Sequence, residues 1–223
     1  MLKDLVGKLA KYSRNPVAVD LSRFNDPVSI ATKWSPARSG GANFRTHTLV
    51  WVDPDRIEFK PSIGAKIFYL VFLLSGLGVL IFIMTRILSS EPDVPLGEIL
   101  VPILVVTLFT LGGVILFYIA TAPIIFDRRR KYFWKGRQDP AKMIEKKGAR
   151  LFATFGDIHA LQILSEFCRG QKTSYYSYEL NLVLKNSERI NVIDHGNLNQ
   201  IRENSRILSD FLDIPVWDAT LNG

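Results

Sequence analysis

The chain has 223 residues, 48% of them hydrophobic, and carries 28 Lys and Arg against 21 Asp and Glu, a formal net charge of +7. That length leaves room for one modest soluble domain beside any membrane segment and excludes a large multidomain enzyme. The single cysteine, Cys168, excludes an intrachain disulfide and fits a reducing compartment.

Residues 1–14 place Leu2, Leu5, Val6 and Leu9 on one helical face, with Lys3, Lys8 and Lys11 elsewhere on the wheel. They are expected to form a short basic amphipathic helix, lying either in a membrane interface or on a protein surface. Asn15-Pro16 stops it. No early apolar core with a small-residue cleavage site follows, so no signal peptide is expected. Residues 15–43 are rich in Ser, Pro, Asp and Gly and are expected to form an irregular linker. From Phe44 the pattern changes: FRTHTLVWV alternates, DPDR turns, and IEFK returns, predicting a β-hairpin over 44–63. Leu49, Trp51, Ile57 and Phe59 are candidates for its apolar face.

Residues 64–126 contain two apolar runs, 67–85 and 99–126, without Asp, Glu, Lys, Arg, His, Asn or Gln. Each is long enough to cross a hydrocarbon core of ~30 Å at ~1.5 Å rise per residue. They predict a transmembrane helical hairpin with spans over 67–88 and 99–122. An ion or proton path normally leaves polar side chains in such spans, so these are expected to be structural. Ser75, Gly76 and Gly78 in the first span and Gly112 and Gly113 in the second fall at similar depth. They either let the helix backbones approach closely or reflect the general frequency of glycine in membrane helices. Pro102 and Pro123 lie near opposite ends of the second span.

Arg128, Arg129, Arg130 and Lys131 follow the second apolar run, and Arg56, Lys60 and Lys66 precede the first. The connecting loop carries Arg86 against Glu91, Asp93 and Glu98. Lys and Arg at the membrane flanks set orientation, so both termini are expected in the cytoplasm of a multi-pass plasma-membrane protein. The run Arg128, Arg129, Arg130 and Lys131 is a candidate anchor for anionic lipid headgroups, at ~1 kcal/mol per residue, as well as a topology determinant. This placement of charge, with no recognition motif beside it, argues against a nucleic-acid partner.

Residues 127–223 are expected to form the cytoplasmic domain. PIIFD and KYFWKG pair across the basic turn; LFATF, IHALQILSEFC and SYELNLVLK follow as strands, the last pairing with RINVI across Asn186, Ser187 and Glu188. SYYSY, residues 174–178, suits either an ordinary strand or a contact site. Residues 138–148 read as a loop or short helix. The period then turns helical, with Leu198, Ile201, Leu208, Phe211 and Leu212 on one face. Asn197 is the N-cap, Gln200 stands at the capping-box position, and Pro215 ends the helix. About seven antiparallel strands and a closing helix make a compact curved sheet. A lone two-stranded hairpin is marginal in water, so 44–63 is expected to pair with or pack on this sheet across the closely spaced ends of the spans.

The order of membrane hairpin, IIFD, RKYFWKG, then DIHALQI ahead of YELNLVL resembles bacterial two-span membrane proteins carrying a pleckstrin-homology-like domain. The layout is also similar to the photosystem I assembly protein of chloroplasts and cyanobacteria. The resemblance covers roughly residues 44–217. It implies an α+β membrane protein: a two-helix transmembrane hairpin plus a cytoplasmic antiparallel PH-like β-domain closed by a C-terminal helix. It further implies protein binding, or lipid binding, rather than catalysis.

No chemistry-bearing constellation competes with that expectation. His47, His159 and His195 lack metal-ligand spacing, Cys168 has no nearby Cys or His in sequence, and no glycine pattern matches a phosphate-binding loop. No cofactor or metal is expected. The expected function is non-catalytic: the PH-like domain binds a protein partner, and anionic lipid at the basic run, in assembly or regulation at the membrane. Two alternatives stay open: an accessory subunit of a transporter, secretion or signalling complex that packs through its spans, and a membrane enzyme using Cys168 or a histidine.

Overall fold

The structure, a computed structural model, describes residues 19–89, 96–138, 151–169 and 173–220. The expected N-terminal amphipathic helix and the loop at 138–148 lie almost wholly outside these residues. In chain order come a 3-10 turn (Leu21–Phe24), helix α1 (Pro27–Ala31), strands β1 (His47–Asp53) and β2 (Arg56–Pro61), and the long helices α2 (Ile63–Ser89) and α3 (Leu96–Ala120). Strands β3 (Ile124–Asp127), β4 (Tyr132–Lys135), β5 (Phe152–Thr154), β6 (Ile158–Arg169), β7 (Ser174–Leu184) and β8 (Arg189–His195) follow, then helix α4 (Leu198–Leu212) and strand β9 (Val216–Asp218). The chain divides into two compact units: residues 44–156, and the parts on either side of them, up to Asn43 and from Asp157 onward.

The first unit is a five-stranded antiparallel sheet in the order β1-β2-β3-β4-β5, carrying the two long helices. Strand β2 pairs antiparallel with β3, beyond the second long helix: Arg56 faces Asp127, Ile57 faces Phe126, Glu58 faces Ile125 and Phe59 faces Ile124. The helical pair is thus inserted between two neighbouring strands where other hairpins have a tight turn. Ile57, Phe59, Phe126 and Phe133 are fully buried, and the Phe126 ring lies 4.8 Å from Phe133 and 6.4 Å from Phe59, in the range of favourable aromatic pairs.

Both helix ends nearest the sheet are capped. Ser62 Oγ accepts the Ala65 N–H (3.1 Å) and donates to the Arg45 carbonyl (2.6 Å), so it satisfies an orphan donor at the start of α2. At the end of α3 the Arg137 guanidinium donates to the carbonyls of Tyr118 (2.6 Å) and Thr121 (2.9 Å) and lies 4.4 Å over the Tyr118 ring. A cation there complements the negative end of the helix dipole. Both helices are long and apolar enough to cross a membrane, and almost none of their residues are buried within the protein. The second apolar run is divided: α3 stops at Ala120, and Ile124, Ile125 and Phe126 are buried strand residues.

The second unit is a four-stranded sheet, β8-β7-β6-β9, antiparallel except that β9 runs parallel to β6. The residues expected to form one curved sheet are therefore shared between two sheets, and β9 is an additional strand that the three-residue segment Val216–Asp218 did not announce. Alternation puts Leu161, Ile163, Leu180 and Leu182 on one buried face, and α4 packs on β6, β7 and β9. The helix turns Ile201, Ser205, Leu208 and Phe211 inward, while Leu198 and Leu212 are half-buried.

The cap of α4 is only partly as expected. Asn197 accepts the Gln200 N–H (3.1 Å), but the Gln200 side chain turns to Glu203 and Asn204. The Asn197 N–H is taken instead by His195 Nδ1 (2.8 Å).

The sheet that holds the helices should be sensitive at its centre. Phe126→Ala removes a fully buried ring shared by three strands. We expect it to destabilise the first unit by about 3–5 kcal/mol. Thermal unfolding of the full chain in detergent reads this, with Trp134 fluorescence as the local reporter. A change under about 1 kcal/mol would show that the ring is not packed as described.

Candidate functional site: the strapped sheet face and the basic turn

The small residues of the two long helices divide by geometry. A Cβ on Gly76 would stand 2.7 Å from Thr110 Oγ1, and one on Gly113 would stand 3.7 Å from the Leu73 Cα. These two glycines mark where α2 and α3 approach. A Cβ on Gly78 or Gly112 would meet nothing within 4 Å, so those two positions open outward. Ser75 is exposed on α2 beside buried Gly76.

The basic run forms the β3–β4 turn, with Lys131 in the left-handed region (φ 58°). It sits at the end of β3 remote from α3, roughly 13 Å along the strand at ~3.3 Å per residue. Arg129 is held by carboxylates: Nε is 2.9 Å from Asp55 and Nη2 is 3.5 Å from Asp53. The Asp55 hydrogen bond, with Asp53 and Asp55 charge behind it, raises the Arg129 pKa above its usual value. Arg130 takes its backbone N–H to Asp127 (3.0 Å) and its guanidinium lies 6.0 Å from the Trp134 ring centroid. A cavity of about 220 Å³ is lined by Asp53, Asp55, Asp127, Arg56, Arg129 and Arg130, three charges of each sign. An anionic headgroup entering here would compete with protein carboxylates, most directly at Arg129. Nearer the helix ends stand Lys60, Lys66 and Arg137.

Cys168 and the histidines do not converge. Cys168 pairs with Tyr175 and His195 with Tyr178. Strand alternation therefore puts Cys168 and His195 on opposite faces of the sheet. His159 lies nine residues before Cys168 on β6, about 30 Å at ~3.3 Å per residue. Its Nε2 is 2.7 Å from Asp26, and its ring is 5.7 Å from that of Trp217. Asp26 also caps α1 by accepting the Val28 N–H (2.9 Å). Burial opposes the Asp26 charge, but the His159 and Val28 bonds outweigh it and hold the carboxyl below its usual value. His47 sits on β1 with Nδ1 3.0 Å from Thr46 Oγ1. Among the described residues no group of His, Cys, Asp and Glu is arranged to hold a metal ion.

The segment expected to be an irregular linker, residues 15–43, supplies the main unforeseen feature in its described part, from residue 19 onward. Phe24 stacks on Trp34 at 5.1 Å, and both lie about 6 Å from Trp217, over Ala160 and Val183. From this apolar anchor, residues 33–43 cross the other face of the four-stranded sheet as a strap. That face is polar where a core is normally apolar. Gln162 donates to the Lys33 carbonyl (3.1 Å) and Arg189 to the Ser35 carbonyl (2.6 Å). Glu179 accepts the N–H groups of Ala37 (2.8 Å) and Arg38 (3.0 Å). Glu166 accepts those of Gly40 (3.2 Å) and Gly41 (3.4 Å). Tyr175 donates to the Gly41 carbonyl (3.0 Å) and Ser177 to that of Ala42 (2.9 Å).

Each of those partners on the strap is a backbone group. Glu166, Glu179, Gln162 and Ser177 are all buried. Burial raises the Tyr175 pKa, reinforced by Cys168 and Glu166, so the phenol stays a donor. Burial lowers that of Arg189, partly offset by Glu179. Close approach is enforced at two glycines. A Cβ on Gly41 would stand 2.2 Å from Ser177 Oγ and 2.8 Å from its Cβ; one on Gly196 would stand 2.2 Å from the Asn43 carbonyl oxygen.

No family model, curated protein or solved structure matches the chain.

Two outcomes follow from this geometry. Gly41→Ala should destabilise the second unit by about 1–3 kcal/mol through overpacking, and Ser177→Gly in the same chain should recover part of the loss. Additive losses in that double-mutant cycle would contradict the close approach. Separately, the depressed Asp26 pKa means that its contribution is present above the ordinary carboxylate range, near pH 4, and is lost as pH falls through the lower folded value. Asp26→Asn should therefore lower stability at pH 6 and narrow the gap to the parent chain as pH falls below about 4. A gap that does not change with pH would contradict the assignment.

Proposed function

We propose that this chain is a non-catalytic membrane-anchored binding protein, with α2 and α3 crossing the plasma membrane and both termini in the cytoplasm. The observation that carries the anchoring is the pair of helices, apolar and outward-facing along their length, mounted on adjacent strands β2 and β3. Apolar surface of that extent is stable in hydrocarbon and not in water. Lys60, Lys66 and Arg137 at the sheet-side helix ends support the cytoplasmic assignment of that side.

The soluble part is proposed to be PH-like and to bind a protein partner at the membrane surface. What supports this is the chain order, a meander β3–β5, a second meander β6–β8 and a closing helix α4, together with a sheet face built to hold an extended peptide. Anionic lipid is proposed as a second ligand of the basic turn formed by Arg128, Arg129, Arg130 and Lys131, in competition with Asp53 and Asp55 at Arg129. An accessory role through the spans is the second reading, favoured by the open positions Gly78 and Gly112.

Topology and partnership can be tested in one set of cells. Single cysteines at Ser89 and Glu188, with Cys168 replaced by Ala, should differ: impermeant thiol reagents should reach position 89 only in intact cells. Labelling of 188 instead would overturn the orientation. Photo-crosslinking residues scanned over the soluble units should give one discrete protein adduct confined to a contiguous face, and adducts at no position would overturn partner binding. Lipid retained on the purified chain should fall when Arg128, Arg130 and Lys131 become Gln, and unchanged retention would remove lipid from the proposal.

A further inference from the structure

We propose that the polar face of the sheet β8-β7-β6 is a binding site for an extended, glycine-containing peptide segment of a partner protein, and that residues 33–43 are the internal ligand that fills it in the free chain. The proposal rests on the reading of this chain as a partner-binding protein and deepens it by naming the site and the chemistry of what enters. Recognition by Gln162, Arg189, Glu179, Glu166, Tyr175 and Ser177 is directed at peptide N–H and C=O groups, which any extended segment offers. A site of this kind selects by path and by steric room more than by side-chain identity.

Three features make the strap displaceable. From Ser35 onward it contributes little apolar burial: Gly41 is its one buried residue among 35–43, and its other side chains are exposed or half-buried. The apolar anchor at Phe24, Trp34 and Trp217 lies at one end and can remain seated while the rest lifts. The face beneath is mostly polar, with Leu164 the buried apolar residue between Gln162 and Glu166, so water or another peptide can satisfy most of it, whereas a wholly apolar face would resist opening. One acceptor is also left over. Asn181 is fully buried, gives its Nδ2 to Gln162 (3.3 Å), and its Oδ1 accepts no hydrogen bond. A ligand with one more N–H on that path would use it.

The same geometry defines the ligand. The position equivalent to Gly41 leaves no room for bulk, since an added Cβ would stand 2.2 Å from Ser177 Oγ, and Gly196 on the sheet side lets the Asn43 carbonyl of the strap approach closely. Two carboxylates facing successive amides, with Lys33 and Arg38 in the strap that meets them, favour a neutral or basic segment over an acidic one.

The test uses the full chain in detergent and a labelled synthetic peptide of the strap sequence, KWSPARSGGAN, as the probe. In the parent chain, the amides of Ala37, Arg38, Gly40 and Gly41 should exchange with solvent at least about 100-fold faster than those of Leu164 and Leu180, because the strap opens without global unfolding. Protection equal to that of the strands would overturn the proposal without any variant. In a chain with residues 35–42 replaced by a Gly-Ser linker, and shown by amide exchange to keep β6–β7 protection, the peptide should bind one to one. Binding should weaken at least about tenfold for Glu179→Ala and for a peptide with Val at the Gly41 position. Failure to bind a folded chain would overturn it, as would binding seen only with dimerisation of the chain, which would assign the face to a second copy. Partner crosslinks that persist elsewhere while the peptide fails would remove this site and leave the proposed function standing.

Discussion

The pairing of β2 with β3 is the constraint on which the helix-bearing unit depends. These strands are neighbours in the sheet, yet the chain between them runs through both long helices. Strands lie about 4.8 Å apart and packed helices about 8–10 Å apart, so the ladder brings the helix bases to within packing distance before any membrane is considered. Ser62 and Arg137 complete the junction by capping α2 at its start and α3 at its end. The aromatic cluster of Phe59, Phe126 and Phe133 holds the ladder from beneath. Gly76 against Thr110 and Gly113 against Leu73 then let the helices stay close further along.

The second unit solves a different problem. Its sheet has one apolar face, which α4 covers, and one mostly polar face, which among the described residues is covered at one end by Phe24, Val28 and Trp34 and along its length by the strap. Buried carboxylates and amides would be costly there without partners. The strap meets that cost with backbone N–H and carbonyl groups that would otherwise need water. A polar sheet face and an irregular segment therefore satisfy each other. The segment makes no β-ladder of its own, and two glycines, Gly41 and Gly196, admit it. Because the strap precedes the first unit in the chain and the sheet follows it, the helix-bearing unit is inserted between the two partners.

How much of this was legible depended on period. Alternation in FRTHTLVWV, IIFD, IHALQILSEFC and RINVI announced strands, and the long uncharged runs announced helices, because both signals are local. The strap was not announced. Its Ser, Pro and Gly content suits any loop, and its partners are side chains more than a hundred residues away in sequence. A usable signal did exist: Gln162, Glu166, Glu179 and Asn181 occupy alternate positions of otherwise apolar strands, where buried polar residues require something to bond. The surroundings of the basic run were hidden for a related reason. It directly follows the second apolar run in sequence, but the last residues of that run form buried strand β3, and Asp53 and Asp55 come from a turn about seventy residues earlier to meet Arg129. The short parallel strand β9 carries too few residues for any period to show.

The claim that most of this account rests on is the β2–β3 ladder, and disulfide trapping in the full chain tests its register. With Cys168 replaced by Ala, cysteines at Glu58 and Ile125, which face each other across the strands, should form an intramolecular disulfide readily in membranes and in detergent. A pair shifted by two residues, at Lys60 and Ile125, should do so far less. Equal trapping of both pairs, or trapping of neither in a folded chain, would contradict the clamp on the helix pair.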